Sequence, residues 1–535
     1  MAINRRTFLS TASLSGSALA LLPGSSFGQT PAPAPSRAKT LRVLAQAALK
    51  VLDPVWTTAA ITLEHGYLIY DKLFERDSKG VPQLQMADSH TVSADQLVHT
   101  ITLRDKLRFH DDAPVTANDV VKSLARWGKR DVIGQQLFGV VEEMVPVSEK
   151  VVRIKLKAPF SNMRLALSNI RGNPAFIMPA TVAETDPNTQ ITSTVGSGPF
   201  IFRRDLWRSG SRAVYDKSPT YVPRSEPTDG YSGGKRVHFD RIEFIYIPDY
   251  TTALNVISSG EADIWELLPN DFAPLIAKAP GVKLAKGMLA TGLFGVNHLY
   301  PPFDQPKARQ ALLHLIDQEE LLTTVTGNPQ FFQQCQSFFA CSGPYGASAK
   351  SFEAWKLDIP KAKQLLAESG YDGRKIVLLD TTDIAALHAS SLYLAQQLRR
   401  AGMNVDLQAM DWSTTISRYP LKKPPAEGGW SIYSTYSAAV EQSSPFGHRY
   451  LITGDNAAPG WPIDPDLEKL RLNWLAATTD AARTSLAAQI QKRSAEVVPF
   501  VPWGEFYTAR ANREDIKGFF SEAPIPIYWG IERKT

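Results

Sequence analysis

The sequence predicts a mixed α/β protein of two lobes, with a β-rich portion inserted in the first. Three observations predict it. Around Phe239 the pattern runs strand, helix, strand over residues 241–247, 252–259 and 262–265, the alternation of a βαβ unit. A second series of the same kind starts at Leu293-Phe294-Gly295-Val296-Asn297. Ahead of the first series, residues 97–103 and 151–156 alternate apolar and polar side chains with the period of half-buried strands.

Size and composition agree with this. A chain of 535 residues is too long for one hydrophobic core, and 44% hydrophobic with 21% charged residues is the balance of a globular protein. Disorder and membrane spanning both fit poorly. The formal charge of +5 is small for this length, and no block of five or six like charges occurs, so nucleic acid is not implied.

The N-terminus, Asn4-Arg5-Arg6-Thr7-Phe8-Leu9-Ser10, has the twin-arginine pattern and precedes a mildly apolar run over 14–22. That run is too short to anchor the chain in a membrane. Ser26-Phe27-Gly28 supplies small residues for cleavage, which makes 1–28 a leader and places the mature start near Gln29. Export in a folded state to the periplasm is expected, with no lipid anchor, because neither cysteine lies near the cleavage region. In that oxidising compartment Cys335 and Cys341 are spaced for a local disulfide that pins a loop; two reduced, buried thiols are the alternative. With no histidine near either cysteine, a metal role has no support.

The chain in order begins with a Pro/Ala linker over 29–40. Leu41-Arg42-Val43-Leu44 is a first strand, Leu52-Asp53-Pro54 opens a loop, and 61–74 carries helix-like apolar spacing. Thr116-Ala117-Asn118-Asp119 starts a helix over 120–127. Gly196-Ser197-Gly198-Pro199-Phe200 is a tight turn and not a phosphate cradle, since Pro199 blocks the helix such a loop must open. In the second series come helices over 307–322, 361–369, 385–400 and 480–497, and strands over 375–379 and 404–407. Pro499-Phe500-Val501-Pro502-Trp503 reads as a return crossing. The first lobe is therefore set at 41–288 with its β-rich part at about 75–195, the second at 289–500, and the return to the first at 501–535.

One stretch stands out as a candidate ligand wall. Residues 428–446 place Trp430, Tyr433, Tyr436 and Phe446 around Ser437, Ala438 and Ala439, whose small side chains leave main-chain groups accessible. An ordinary buried strand followed by a surface loop is the alternative.

Several segments resemble one family along nearly the whole mature chain. They are Leu52-Asp53-Pro54, Tyr70-Asp71-Lys72-Leu73-Phe74, the run from Leu107-Arg108-Phe109-His110-Asp111-Asp112 to Asp119-Val120, Gly196-Ser197-Gly198-Pro199-Phe200, Ser259-Gly260-Glu261-Ala262-Asp263 and the run from Lys361-Ala362-Lys363 to Gly370-Tyr371. In this order and spacing the chain resembles the extracytoplasmic solute-binding proteins of peptide-type ABC transporters, family 5, the dipeptide, oligopeptide and nickel group. The resemblance implies a two-lobed periplasmic binding protein fold, type II and cluster C-like, with an extra β-rich subdomain in lobe one. It implies a small-molecule ligand closed between the lobes and delivered to membrane permease subunits by a monomer, with no cofactor.

In members that grip free peptides, an Asp after the aromatic strand holds the ammonium and an Arg in the same lobe holds the carboxylate. Here the place of the Asp falls at Ala439 or Val440, and the loop for the Arg reads Leu379-Asp380-Thr381-Thr382-Asp383. Loss of both is expected to cost a zwitterion several kcal/mol, at about 1.5–3 kcal/mol for each buried charged hydrogen bond, which disfavours a dipeptide held in the usual way. The expected pocket is instead aromatic, hydroxyl-rich and acidic. Trp56, Phe294, Trp412, Trp430, Tyr436 and Trp503 are candidate walls; Thr57, Thr58, Thr382 and Ser437 candidate hydrogen-bonding groups; Asp383 and Glu441 candidate partners for a cation. Thr57, Thr58, Tyr436 and Ala438 match the family's ligand-facing segments. A cationic or neutral polar ligand is the expectation: an amine, an opine-like conjugate, a modified peptide or a small sugar derivative.

No catalytic pattern competes with this. The nine histidines are dispersed, no Gly-x-Ser-x-Gly occurs, and acid pairs such as Asp111-Asp112 and Glu142-Glu143 suit solvated or capping roles, so no enzyme is expected. A secreted hydrolase and a ligand-sensing module outside transport are the rival readings.

Overall fold

An eleven-stranded sheet runs through the whole molecule, seen in a computed structural model that describes residues 36–346 and 355–534. Its order is Phe200–Phe202, Arg212–Lys217, Arg241–Ile245, Thr40–Leu44, Ile264–Leu268, Phe500–Arg513, Val282–Val296, Ile432–Ala438, Lys375–Thr381 and Asn404–Met410, with Phe332–Gln333 added against Phe500–Arg513. Thr40–Leu44 runs parallel to both Arg241–Ile245 and Ile264–Leu268, and the helix Tyr250–Ser258 joins those two. This is the βαβ pattern expected around Phe239.

The expected leader at 1–28 and residues 29–35 of the linker lie outside the described residues. The folded chain begins ahead of residue 41. Arg37–Lys39 make a 3-10 turn, Thr40 opens the first strand, and the Arg37 guanidinium forks onto Asp263 through 2.9 and 2.7 Å bonds. A partner so distant in sequence leaves no local trace in a Pro/Ala-rich segment.

Val282–Val296 and Phe500–Arg513 pair antiparallel from Val282↔Arg513 to Gly295↔Phe500 and cross the molecule together. The strands preceding them in the sheet order belong to what we call the first lobe, and Ile432–Ala438, Lys375–Thr381 and Asn404–Met410 to the second. Their register slips between Lys286 and Leu289 and again between Gly292 and Leu293. Met288 therefore sits at an irregularity inside a strand. Such slips bend and twist a strand locally.

Ala87–Val92, Val98–Leu103, Val151–Leu156 and Val141–Pro146 form a separate four-stranded antiparallel sheet in that order. The helix Ala117–Trp127 packs on it, opened by a capping box in which the Thr116 hydroxyl accepts from the Asp119 amide and the Asp119 carboxylate accepts from the Thr116 amide.

Two helices differ from expectation. The one expected over 61–74 ends at Ile69, and Asp71–Lys72 pairs instead with Phe176–Ile177. The one expected over 307–322 is two, Pro306–Leu313 and Gln318–Thr326, because the Asp317 carboxylate accepts the amides of Glu319 and Glu320 and starts a new helix. Ala385–Arg400 and Asp480–Val497 run as expected. Among the described residues no helix is long and apolar enough to cross a membrane.

Candidate functional site

The two lobes meet along one continuous apolar cluster, which takes Phe74, Leu103 and Trp127 from the first and Phe338, Leu451 and Trp474 from the second. At its edge Phe160 meets Phe446 with ring centres 6.3 Å apart, and Arg483 donates to the Ser161 hydroxyl at 2.9 Å. A charged contact, Arg171 with Glu441, also joins the lobes.

Its second-lobe side is the end of Ile432–Ala438. That strand pairs with Val282–Val296 in the register Tyr436↔Gly292, Ser437↔Thr291 and Ala438↔Ala290, then turns through the 3-10 segment Ala439–Gln442. Gln442 donates to the Ser437 hydroxyl at 2.7 Å, and the Glu441 carboxylate accepts the Ala438 amide at 3.1 Å. Behind the turn, the Ala340 amide donates to the Gln442 carbonyl at 2.9 Å. Ala340 lies in the loop closed by the Cys335–Cys341 disulfide, with Cα atoms 5.7 Å apart. The loop is tied further by the Cys341 amide on Glu505 of the crossing strand at 3.0 Å.

Glu441 faces the opposite lobe. Its Oε2 lies 3.4 Å from Nε of Arg171, in an ion pair that joins the lobes. Arg171 belongs to the turn Asn169-Ile170-Arg171-Gly172-Asn173, which the first lobe holds on both sides of the arginine. The Lys72 ammonium donates to the Asn169 carbonyl at 2.8 Å, the Tyr67 hydroxyl to the Ile170 carbonyl at 2.9 Å, and the Asn173 amide to Asp131 at 3.0 Å. Gly172 has φ +73, a left-handed conformation that glycine adopts without strain. Asp131 also accepts the amides of Ile133 and Gly134, yet burial outweighs these bonds and pushes its carboxyl up to about 6.

The same turn reaches the segment 54–58. Asn173 Nδ2 donates to the carbonyls of Pro54 and Thr57 at 3.0 and 3.2 Å, and Arg130 donates to the Trp56 carbonyl at 3.0 Å. Trp56 and Thr57 are half-buried there and Thr58 is exposed. Trp56 and Thr57 thus lie on a segment bonded to the turn that carries Arg171, and Tyr436, Ser437 and Ala438 on the strand end that leads to its partner Glu441.

Other residues singled out in the sequence sit elsewhere. Phe294 and Trp503 are fully buried along the crossing strands, where Trp503 stacks on Phe506 at 5.3 Å and Phe506 meets Tyr436 edge-on at 5.3 Å. Trp503 covers Gly292, where any Cβ would collide with the indole. Trp430 is fully buried inside the second lobe against Tyr433 and Trp461, its indole N–H donated to the Arg418 carbonyl. Thr382, Asp383 and Trp412 gather at the ends of Lys375–Thr381 and Asn404–Met410, where Asp383 accepts the Trp412 amide at 2.8 Å and the Thr382 hydroxyl donates to the Met410 carbonyl. The Asp383 carboxylate is thereby engaged in holding a short helix.

Sequence reasoning passed over Arg171, Asn173 and Asp131. The available signal was Asn169-Ile170-Arg171-Gly172-Asn173-Pro174, a turn-forming run with an arginine at its centre. Among the described residues no group of three or more His, Cys, Asp or Glu is placed to hold a metal ion.

Known proteins resemble this chain in sequence and fold. The sequence pattern of the bacterial extracellular solute-binding proteins, family 5 Middle, matches residues 81–454. A probable peptide ABC transporter periplasmic-binding protein of Sinorhizobium fredii is 36% identical over 100% of both chains. The glutathione-binding protein of Salmonella typhi is 26% identical over 79% of each. A periplasmic binding protein of A. tumefaciens R10, solved with agropinic acid, superposes with a TM-score of 0.76 at 21% identity, covering 93% of this chain and 99% of its own. The fold is the two-lobed periplasmic binding protein fold.

Proposed function

The chain belongs to the family 5 bacterial extracellular solute-binding proteins, and from this we propose that it captures a small polar ligand, peptide-like or opine-like, between its lobes and delivers it to the permease subunits of an ABC importer. What supports the reading is a contact between the lobes: Arg171, on a turn bonded to segment 54–58 of one lobe, pairs with Glu441 of the other. Contacts made to both sides exist only when the lobes are together, so a ligand that makes them shifts the open and closed populations. The peptide, glutathione and opine ligands of the relatives define the class to be tried first. A monomer that works by closure needs no covalent chemistry, which sets this reading against a secreted hydrolase.

Titration calorimetry and solution scattering of the mature protein, with peptides, glutathione, opines and simple amines, check it. One ligand per chain, a smaller radius of gyration and full recovery of unchanged ligand are expected. Conversion of a bound ligand into product would sink the reading.

We also propose the twin-arginine route for export, on Arg5-Arg6 ahead of the apolar run. The double substitution Arg5→Lys and Arg6→Lys is expected to leave the protein in the cytoplasmic fraction with its leader attached. Unchanged periplasmic recovery argues for another route.

A further inference from the structure

We propose that the Cys335–Cys341 disulfide is a positioning element of the ligand site: it holds the turn Ala439–Gln442 in place, so the disulfide form of the chain binds ligand well and the dithiol form binds it weakly. This rests on the reading of the interlobe space as the ligand site.

The loop that the bond closes has an anchored half and a half that bears on the turn. In the first, the Gln318 side chain clamps Cys335, accepting its amide at 2.7 Å and donating to its carbonyl at 2.9 Å. Phe338 and Phe339 are fully buried, and Phe338 donates its amide to Gln491 at 2.8 Å and accepts His448 on its carbonyl at 2.9 Å. The second half touches the turn. The Ala340 amide donates to the Gln442 carbonyl at 2.9 Å, and just past the loop Gly343 lies so close to Ser443 that a Cβ added there would come within 2.8 Å of the serine Cβ. Gln442 passes the constraint on, because its side chain donates to the Ser437 hydroxyl at 2.7 Å, and its neighbour Glu441 is the acid that meets Arg171 of the other lobe. The disulfide is the covalent strut between the two halves. With it, the turn is braced against Gln318 and the buried phenylalanines. Without it, Cys341 is left to its backbone neighbours and to the bond of its amide with Glu505 at 3.0 Å.

The chemistry of the bond makes this brace redox-dependent. Cys335 is 1% exposed and Cys341 half-buried, so a thiol reaches the bond from the Cys341 side. Formation of the bond takes two protons and two electrons from the cysteine thiols and gives them to a disulfide-bearing oxidant, which leaves as a dithiol; a dithiol reductant runs the exchange backwards. Such bonds persist outside the cytoplasm and are kept reduced within it. The dithiol form is therefore the one present before export, and the disulfide form the one that meets ligand outside. A looser turn lowers affinity because it has to be ordered each time a ligand is bound.

The test needs no mutation, since the chain has two cysteines and dithiothreitol changes this bond alone. Hydrogen exchange of the ligand-free mature protein is followed in the disulfide and the reduced form. Amides of 340–343 and 438–443 are expected to exchange several-fold faster after reduction, with those of the first-lobe helix Ala117–Trp127 unchanged. Calorimetry with Met-Leu and agropinic acid as probes is expected to show about 3- to 10-fold weaker binding by the reduced form, the equivalent of ordering one more side chain. The double variant Cys335→Ser with Cys341→Ser is expected to behave as the reduced form and to be indifferent to dithiothreitol. Equal affinities in the two forms overturn the proposal and leave the solute-binding reading in place, the bond then serving the second lobe's stability alone. Loss of the melting transition on reduction overturns it as well, because the bond is then needed for the fold and not for the turn. No heat from either probe with the disulfide form overturns the assignment to peptide-like and opine-like ligands and with it the binding half of the proposal, while unchanged exchange at 438–443 overturns the positioning half.

Discussion

Arg126→Ala is expected to destabilise the protein by about 3–5 kcal/mol, the cost of leaving a buried carboxylate without its cation. The carboxylate is that of Asp53, which is fully buried and accepts both Nη1 and Nη2 of Arg126, at 3.1 and 2.7 Å. Asp53 also accepts the amides of Val55, Trp56 and Ile191. It therefore fixes the start of the 54–58 segment and pins it to the stretch near Ile191, while Arg126 donates onward to the Thr185 and Thr189 carbonyls. Removal of the arginine leaves three amides to stabilise an anion in a dry interior. The shift in the guanidinium unfolding midpoint measures the loss. Asp53→Ala combined with Arg126→Ala is expected to be less damaging than the sum of the two single changes, as for any coupled pair. A loss below about 1 kcal/mol for Arg126→Ala contradicts the account, because that is the range of solvent-exposed pairs.

The second large effect is a pH dependence centred on Asp131. Burial raises its carboxyl from 3.8 to about 6 in the folded protein. A carboxyl raised by folding adds stability when protonated in both states, below its unfolded value. That contribution is lost as pH rises through the folded value, because the unfolded chain ionises freely and the folded one does not. Between about pH 4 and pH 6 this one group is expected to withdraw about 3 kcal/mol, since every tenfold difference in proton affinity between the folded and unfolded chain corresponds to about 1.4 kcal/mol. Asp131→Asn cannot ionise. Its Oδ1 can still accept the Ile133 and Gly134 amides, while its amide group meets the Asn173 N–H and costs a constant amount. The readout is therefore the difference between wild type and variant across a pH series of unfolding midpoints: it should change by about 3 kcal/mol over this window and be flat above pH 7. A constant difference throughout would show that the Asp131 carboxyl ionises alike in the folded and unfolded chain.

Both effects concern supports of the site rather than its surface, and this separates what could be read from the chain. Asp53 was visible as part of Leu52-Asp53-Pro54, but a motif gives no partner, and Arg126 lies on a helix read only for its capping and apolar face. The long-range pairs of Arg37 with Asp263 and of Arg171 with Glu441 leave no periodicity at all. Two opposite charges far apart in sequence look like any other scattered charges. The same limit explains the aromatic residues. Trp430 and Tyr436 belong to one short aromatic stretch, and only packing puts the first inside the second lobe and the second beside the charged contact.

Local chemistry by itself determined a good deal. Alternation at 98–103 and 151–156, the Thr116 and Asp119 cap, the 385–400 and 480–497 helices and the strand–helix–strand pattern near Phe239 are set by side chains close in sequence, so propensity and period suffice to read them. Those segments, with the motif order, determined the family and hence the two-lobed fold. Tertiary structure alone decided that Met288 lies within a crossing strand, that 306–326 is two helices, and that Glu441 turns to the opposite lobe and meets an arginine there. The physical reason is common to all three. A strand's register, a helix break and an ion pair between lobes are each settled by partners that the fold brings in from elsewhere in the chain.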